Sequence, residues 1–104
     1  MTYANWRSMD DAAAMRGVRP DMTREELIEV AYGARSGAAR RIAVVYLDDP
    51  EITRAFALED RDPMVRRGLA RRLTDAESLE QLLNDADYSV RKAAADTLKK
   101  LQEK

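Results

Sequence analysis

The amino-acid sequence predicts an all-α protein in which about three helical hairpins stack as a solenoid, preceded by one N-terminal helix. Three observations predict this fold class: a repeated segment, helix-start signals in each repeat, and apolar stripes at helical spacing. The repeat is the most direct, because segment 62–73 returns as 87–98. A fixed period of about 20 to 50 residues is typical of solenoids, whose units bury their apolar faces by stacking. The identical pairs are Asp62 and Asp87, Val65 and Val90, Arg66 and Arg91, Ala70 and Ala95, and Leu73 and Leu98.

A weaker copy of the same segment lies one unit earlier in the chain, with Ser36 in place of Asp62. The segments that precede these helices agree with this register, because Thr23 and Glu26 match Thr74 and Glu77. The sequence therefore predicts repeats at about 23–48, 49–73 and 74–101. The matching residues of the earlier copy are Ser36, Ala39, Arg40, Val44 and Leu47.

Each repeat is predicted to contain two short helices, and four helix-start signals support this prediction. Segments 23–26 and 74–77 both have Thr first and Glu fourth, the pattern of a capping box. Asp49 and Asp62 each precede a proline, which is favoured at the first position of a helix. Apolar residues at helical spacing, such as Val65 and Leu69 or Leu79, Leu82 and Leu83, provide the buried faces. We predict first helices at 24–32, 50–59 and 75–84, and second helices at 37–47, 63–73 and 88–102.

Residues 1–22 are predicted to form an N-terminal capping helix and its connection to the repeats at 23–104. The helix is expected within residues 1–16, beginning at Thr2 or Ser8. The polar tail, 99–104, is expected to close the opposite end, as a terminal repeat requires. The side chains expected to cover the N-terminal end of the core are Trp6, Met9 and Met15.

Composition excludes most catalytic chemistry. The chain has 104 residues, a net charge of −1, and neither Cys nor His. Disulfides, cysteine nucleophiles, most structural zinc sites and Ser-His-Asp triads are therefore impossible. The sequence contains no Gly-rich phosphate loop and no apolar run long enough to span a membrane, and we expect no signal peptide. We expect a single compact, cytoplasmic domain that is not an enzyme and has no cofactor and no metal.

The repeated pattern of Asp, Val-Arg, Ala and Leu resembles the HEAT-like repeat superfamily over residues 23–101. The unit of about 25 residues is most similar to the leucine-rich variant repeat. The resemblance implies a right-handed superhelix whose second helices line the concave surface. It also implies that the repeat arginines Arg40, Arg66 and Arg91 are structural, each closing its own helix start and bridging to a neighbouring unit. An iron–sulfur cluster linked to this repeat class does not carry over, because the chain has no Cys.

Charge is segregated along the predicted helices. The second helices are basic, whereas the first helices contain most of the acidic residues. Arg67 and Arg71 lie about 200° and 240° around their helix from Val65, which points them away from the core. The apolar run 42–47 also covers more than one helical face, so either the N-terminal helix buries it or an apolar spot lies open. The candidate partner-binding residues are Arg41, Val45, Arg67, Arg71 and Lys92.

Two functional interpretations of these five residues stay open. A third interpretation is that they only form a solvated, salt-bridged face. The first is a docking surface for another protein with an acidic surface, so that the chain is a small adaptor or inhibitor. The alternative is binding to the phosphate backbone of a nucleic acid, against which the net charge of −1 and the few aromatic residues argue. We expect no membrane partner. The frequent Ala and Arg suggest a bacterial or bacteriophage genome.

Overall fold

The computed structural model describes residues 6–103. Those residues form seven α-helices and no strand, so the predicted all-helical class is confirmed. The helices are α1 (Asp11–Gly17), α2 (Arg24–Gly33), α3 (Gly37–Leu47), α4 (Pro50–Glu59), α5 (Pro63–Ala70), α6 (Ala76–Leu82) and α7 (Tyr88–Gln102).

The chain divides into two compact units, Met1–Asp49 and Pro50–Lys104. In the first unit, α3 packs against α2 and also against α1. In the second unit, α4 pairs with α5 and α6 pairs with α7, while α4 contacts α6 and α5 contacts α7. First helices therefore pack on first helices within this unit, and second helices on second helices, as in stacked hairpins. The number of repeats, the single-domain organisation and the handedness stay predictions.

Two of the predicted helix starts are confirmed in detail. The Thr23 hydroxyl accepts a hydrogen bond from the Glu26 N–H (3.1 Å), and the Glu26 carboxylate accepts one from the Thr23 N–H (2.8 Å), which completes the capping box of α2. The Asp62 carboxylate accepts from the Met64 N–H (2.9 Å), and Pro63 is the first residue of α5. These side chains satisfy amides that have no partner inside the helix.

The capping box predicted at 74–77 is wrong. Asp75 is the N-cap of α6, and its carboxylate accepts from the Ser78 N–H (3.0 Å), so the helix begins one residue later than predicted. A carboxylate caps as well as a hydroxyl does, and its charge also interacts favourably with the helix dipole. Hydrogen bonding from Ser78 lowers the pKa of Asp75 despite the opposing effect of burial.

The N-terminal helix is shorter than predicted. Helix α1 begins at Asp11, and the carboxylate of Asp10 caps it by accepting from the Ala13 N–H (2.9 Å). Ser8 lies in the preceding turn and does not cap the helix, and Thr2 lies outside the described residues. The prediction failed because an aspartate pair just before three alanines is a stronger helix start than an isolated hydroxyl.

Trp6 is buried, as predicted, with 8% of its surface exposed. Its carbonyl accepts a hydrogen bond from the Arg35 N–H (2.7 Å), which connects it to the turn between α2 and α3. Its ring lies so close to Gly17 that a Cβ there would come within 2.9 Å of a ring atom. Met9 is half-buried, but Met15 is 43% exposed, so the expectation that Met15 covers the core was wrong.

Helix α5 ends at Ala70, three residues before the predicted end at Leu73. The Arg72 N–H donates to the Leu69 carbonyl (2.9 Å) and the Leu73 N–H to the Ala70 carbonyl (3.3 Å), a three-residue spacing that tightens the last turn. Leu73 still reaches the core, where it is 4% exposed. Arg71 follows the helix as its C-cap rather than lying on a helical face.

The apolar stripes are buried where the repeat predicts. Val65 and Val90 occupy corresponding positions of α5 and α7 and are 1% and 0% exposed. Leu79 and Leu82 of α6 are also buried. Leu83 is 38% exposed, contrary to the sequence interpretation, which placed it on the buried face. Leu83 is the C-cap of α6, so the helix ends before it can complete the stripe.

Candidate partner-binding surface

The three repeat arginines have the same backbone contact. Each donates a hydrogen bond from Nη1 to the carbonyl oxygen six residues earlier, in the loop before its own helix. The bonds join Arg40 to Ala34 (2.9 Å), Arg66 to Asp60 (2.6 Å) and Arg91 to Asp85 (2.7 Å). Each arginine therefore closes its own helix start, and its Nη1 is engaged within the fold.

Arg66 also bridges to the next hairpin. Its Nε and Nη2 donate to the two carboxylate oxygens of Asp85, at 2.9 and 3.0 Å, and the two side chains are only 14% and 8% exposed. Asp85 precedes α7, and its carboxylate also accepts from the Asp87 N–H (2.9 Å). This bidentate pair connects α5 to the loop between α6 and α7, in the geometry that makes Arg–carboxylate pairs strong.

The pair perturbs both pKa values. Burial raises the pKa of Asp85, but the hydrogen bonds from Arg66 and the Asp87 amide and the charge of Arg66 outweigh it, so the pKa lies below its ordinary value. The hydrogen bond to Asp85 raises the pKa of Arg66, with burial acting against it. The sequence interpretation missed this pair, although Asp60 and Asp85 are themselves separated by the same offset as Asp62 and Asp87.

The aspartates four residues before the repeat arginines act as helix caps. Asp62 accepts from Met64, and Asp87 accepts from the N–H groups of Ser89 (2.8 Å) and Val90 (3.3 Å). Hydrogen bonding from Ser89 lowers the pKa of Asp87. The acid-to-base spacing in the sequence therefore does not mark ion pairs within the described helices, since a carboxylate at the N-cap faces the helix amides instead.

Two of the five candidate residues lie in the first unit. Arg41 and Val45 are one turn apart on α3, and both are half-buried. Tyr46 beside them is 40% exposed, although α1 packs against α3. The apolar run 42–47 is thus only partly covered, and an aromatic side chain stays accessible on this helix.

The other three candidates lie in the second unit. Arg67 is on α5, Arg71 directly follows that helix, and Lys92 is on α7, which packs against α5. Arg71 and Lys92 are exposed. The Lys92 ammonium lies 3.4 Å from the Asp96 carboxylate, but both side chains are more than half exposed, so this pair is weak. The second unit therefore places basic groups on, or next to, two neighbouring second helices.

Arg67 is not the freely solvated side chain that its helical angle predicted. It is half-buried, and its Nε atom is buried without a hydrogen-bond partner among residues 6–103. A buried donor without an acceptor costs about 1–3 kcal/mol.

The segregation of charge persists in the second unit, in weaker form. Among the exposed acids, Glu51, Glu59, Glu77 and Glu80 are on first helices. Two exceptions are Arg54, an exposed base on α4, and Asp96, an exposed acid on α7. Because the repeat arginines are engaged in the fold, fewer bases remain for a partner than the sequence suggested. The exposed bases on the second helices of this unit, or directly after them, are Arg71, Arg72, Lys92, Lys99 and Lys100.

Residues 77–104 match the family model of the HEAT repeat. The match includes most of α6 and all of α7, and it supports a HEAT-like repeat in this part of the chain. HEAT repeats are generally protein-interaction modules without catalytic activity. No curated protein and no solved structure matches the chain.

None of the helices within residues 6–103 combines the length and the hydrophobicity that crossing a bilayer requires. The same residues contain no cluster of three or more carboxylates that could hold a metal ion.

Proposed function

We propose that this protein is a non-catalytic interaction module, a small adaptor or inhibitor, which binds an acidic partner protein through the basic side chains of its second helices. The observation that carries the proposal is the HEAT-repeat match over the hairpin that contains Lys92, because HEAT repeats generally bind proteins. Arg71 and Lys92, exposed at neighbouring helices of one unit, supply the positive charge.

The architecture proposed with this function is a right-handed superhelix of three repeats of the leucine-rich variant. Its support is the fixed offset between segments 62–73 and 87–98, together with the contacts of α5 with α7 and of α4 with α6. In such a superhelix the second helices face a partner, so side chains at equivalent repeat positions add to one another.

The chemistry of the surface favours carboxylates as the groups recognised. Arginine presents several N–H donors in a plane and binds a carboxylate through two parallel hydrogen bonds, whereas lysine contributes a point charge. In the first unit, Arg41 and Val45 add a partly buried base beside an apolar side chain, a combination typical of interface cores. In the second unit, Arg67, Arg71 and Lys92 provide the larger charge.

The test is a pull-down from the source cells in which charge-reversed baits are compared with the unmodified chain. Arg71→Glu and Lys92→Glu change exposed residues, so their effect on folding is expected to be small. Arg54→Glu reverses another exposed charge of the same unit, on α4, and serves as the control. We expect the double variant to lose the retained protein at least about tenfold while the control keeps it, because each charged contact contributes on the order of 1 kcal/mol.

Retention of no specific protein, or equal retention by all baits, contradicts the proposal. A separate Arg41→Glu bait tests whether the first unit contributes to binding of the partner protein. A mobility-shift titration of the unmodified chain with duplex DNA, at increasing salt, tests the alternative partner class. If the chain binds DNA and the binding weakens steeply with added salt, the partner is a nucleic acid, bound through its phosphate backbone, rather than a protein.

A further inference from the structure

One side of α5 is defined by its contact with the next hairpin. Arg66 and Ala70 are four residues apart on one side of α5, and Leu73 follows in the tight turn after the helix. Arg66 is paired with Asp85 of the next hairpin, and Ala70 and Leu73 are 0% and 4% exposed. This side is therefore covered in the folded protein.

The repeat puts the same three residue types on α7, where they are less covered. Arg91, Ala95 and Leu98 are the equivalent residues one repeat later. Ala95 is exposed, and Arg91 and Leu98 are half-buried. Arg91 donates to the Asp85 carbonyl and lies over the Tyr88 ring at 5.8 Å, but it has no carboxylate partner among residues 6–103. The equivalent of a covered side is thus open on α7.

We propose that Arg91, Ala95 and Leu98 form a second docking surface, the α7 edge, for a helical hairpin of another protein. The loop of that hairpin would contain an aspartate that binds the Arg91 guanidinium as Asp85 binds Arg66. The small side chain of Ala95 allows a partner helix to approach closely, and Leu98 adds apolar contact. The positive charge of Arg91 favours a partner with a carboxylate. Its Nη1 bond to the Asp85 carbonyl fixes the guanidinium, whose other N–H groups can still donate to a carboxylate.

A second copy of this chain does not provide the aspartate. The hairpin of the first unit has Ala34 at the loop position that Asp60 and Asp85 occupy in the later hairpins, since Arg40 bonds to the Ala34 carbonyl in the same way. The Asp85 carboxylate is already bound by Arg66. A copy stacked in the same geometry would therefore bring a methyl group towards Arg91, which favours a different protein as the occupant.

The α7 edge is separate from the basic side chains of the proposed function. Lys92 and Asp96 lie about 100° further around α7 than Arg91 and Ala95, so a partner can occupy either surface alone. The inference does not rest on the proposed function, and variants at Arg91 and at Lys92 distinguish their failures.

The experiment is to duplicate residues 74–98 in tandem within the full chain. The insertion preserves the offset of the repeat and places a second α6–α7 hairpin against the α7 edge. We expect added helical circular dichroism and a melting temperature that does not fall. Arg91→Met in the first copy should lower the melting temperature of the duplicated protein by about 4 °C or more beyond its effect in the original chain. Asp85→Asn in the second copy should lower the melting temperature by the same amount, and combining it with Arg91→Met should lower it no further.

Lys92→Met in the first copy is the matched control, because the side chain of Lys92 lies outside the α7 edge. It should change the melting temperature by the same amount in the original and the duplicated chain. The Nε–H resonance of Arg91 provides a readout of the contact itself, and its exchange with solvent should slow towards that of Arg66. The proposal is overturned by an insertion that adds no helix, or by Arg91→Met having equal effects in the original and duplicated chains.

Discussion

Replacing Asp85 by asparagine removes one carboxylate charge at nearly constant volume and should strongly destabilise the protein. The carboxylate accepts two hydrogen bonds from Arg66 and one from the Asp87 amide, at 2.9 to 3.0 Å. Arg66 is only 14% exposed, so Asp85→Asn leaves a largely buried guanidinium without its paired carboxylate, although the charges of Asp87 and Asp60 nearby still act on it. Breaking one side of such a pair costs about 3–5 kcal/mol. That is a large share of the roughly 5–15 kcal/mol that stabilises a typical domain.

The assay is urea unfolding at neutral pH, followed by far-ultraviolet circular dichroism. Arg66→Met and the double variant complete a cycle that separates the pair from the other bonds of each residue, including the bond from Arg66 to the Asp60 carbonyl. We expect the double variant to be less destabilised than the sum of the two single variants by about 1–3 kcal/mol. Lys92→Gln, which breaks an exposed pair, is the matched control and should change stability by less than about 1 kcal/mol.

The dependence on pH has a defined sign. The folded pKa of Asp85 lies below its unfolded value, so its contribution is complete above about pH 4 and disappears as the pH falls through the folded pKa. The difference between the unmodified protein and Asp85→Asn should therefore shrink below about pH 4. A loss of under about 1 kcal/mol at neutral pH, or a difference that is constant down to strong acid, would refute the reasoning.

Three smaller predictions concern the backbone, a cap and a buried donor, each measured by thermal or urea unfolding. Gly17→Ala should lower the free energy of unfolding by about 1–3 kcal/mol, because the new Cβ would lie 2.9 Å from the ring of the single tryptophan. Gly33→Ala, with nothing within 4 Å of the new Cβ, should raise it by about 0.5–1 kcal/mol. Equal effects of the two substitutions would contradict the packing of Trp6 on Gly17. Thr23→Ala should cost about 1 kcal/mol, and Thr74→Ala, outside the helix cap, less than about 0.5 kcal/mol. Arg67→Met should raise stability by about 1 kcal/mol, since it removes a buried donor without an acceptor, and a loss of stability would show that this donor is satisfied.

Local signals in the sequence predicted the second helices well, because each depends on residues close together in the chain. Helix α3 covers the predicted 37–47, and α7 the predicted 88–102. Errors arose where two local solutions compete within one or two residues. Asp75 displaced Thr74 as a cap, and α5 ended in a tight turn at Ala70 although its apolar spacing continues to Leu73. Spacing alone does not distinguish a last helical turn from a tighter turn that buries the same leucine.

The candidate surface was less predictable than the helices. Helical angle placed Arg67 away from the core, but its Nε is buried in the folded protein. Asp62 and Asp87 precede Arg66 and Arg91 by four residues, a spacing typical of ion pairs on a helix. Both aspartates instead cap their helices, and Arg66 binds Asp85, 19 residues away. Long flexible side chains reach partners that no local spacing specifies, because their contacts depend on how separate helices pack.

The sequence by itself determined that the chain is helical, that segment 62–73 has a counterpart at 87–98, and that Val65 and Val90 belong to the core. These properties follow from hydrogen bonding and apolar spacing within one segment. Only the tertiary structure decided which arginines remain accessible, because that depends on which loop each guanidinium reaches. Packing α5 against α7 brings Asp85 to Arg66 and leaves Arg91 without a carboxylate among residues 6–103. The side chains are the same at both positions, and their different surroundings separate an arginine held in an ion pair from one without a carboxylate partner among the described residues.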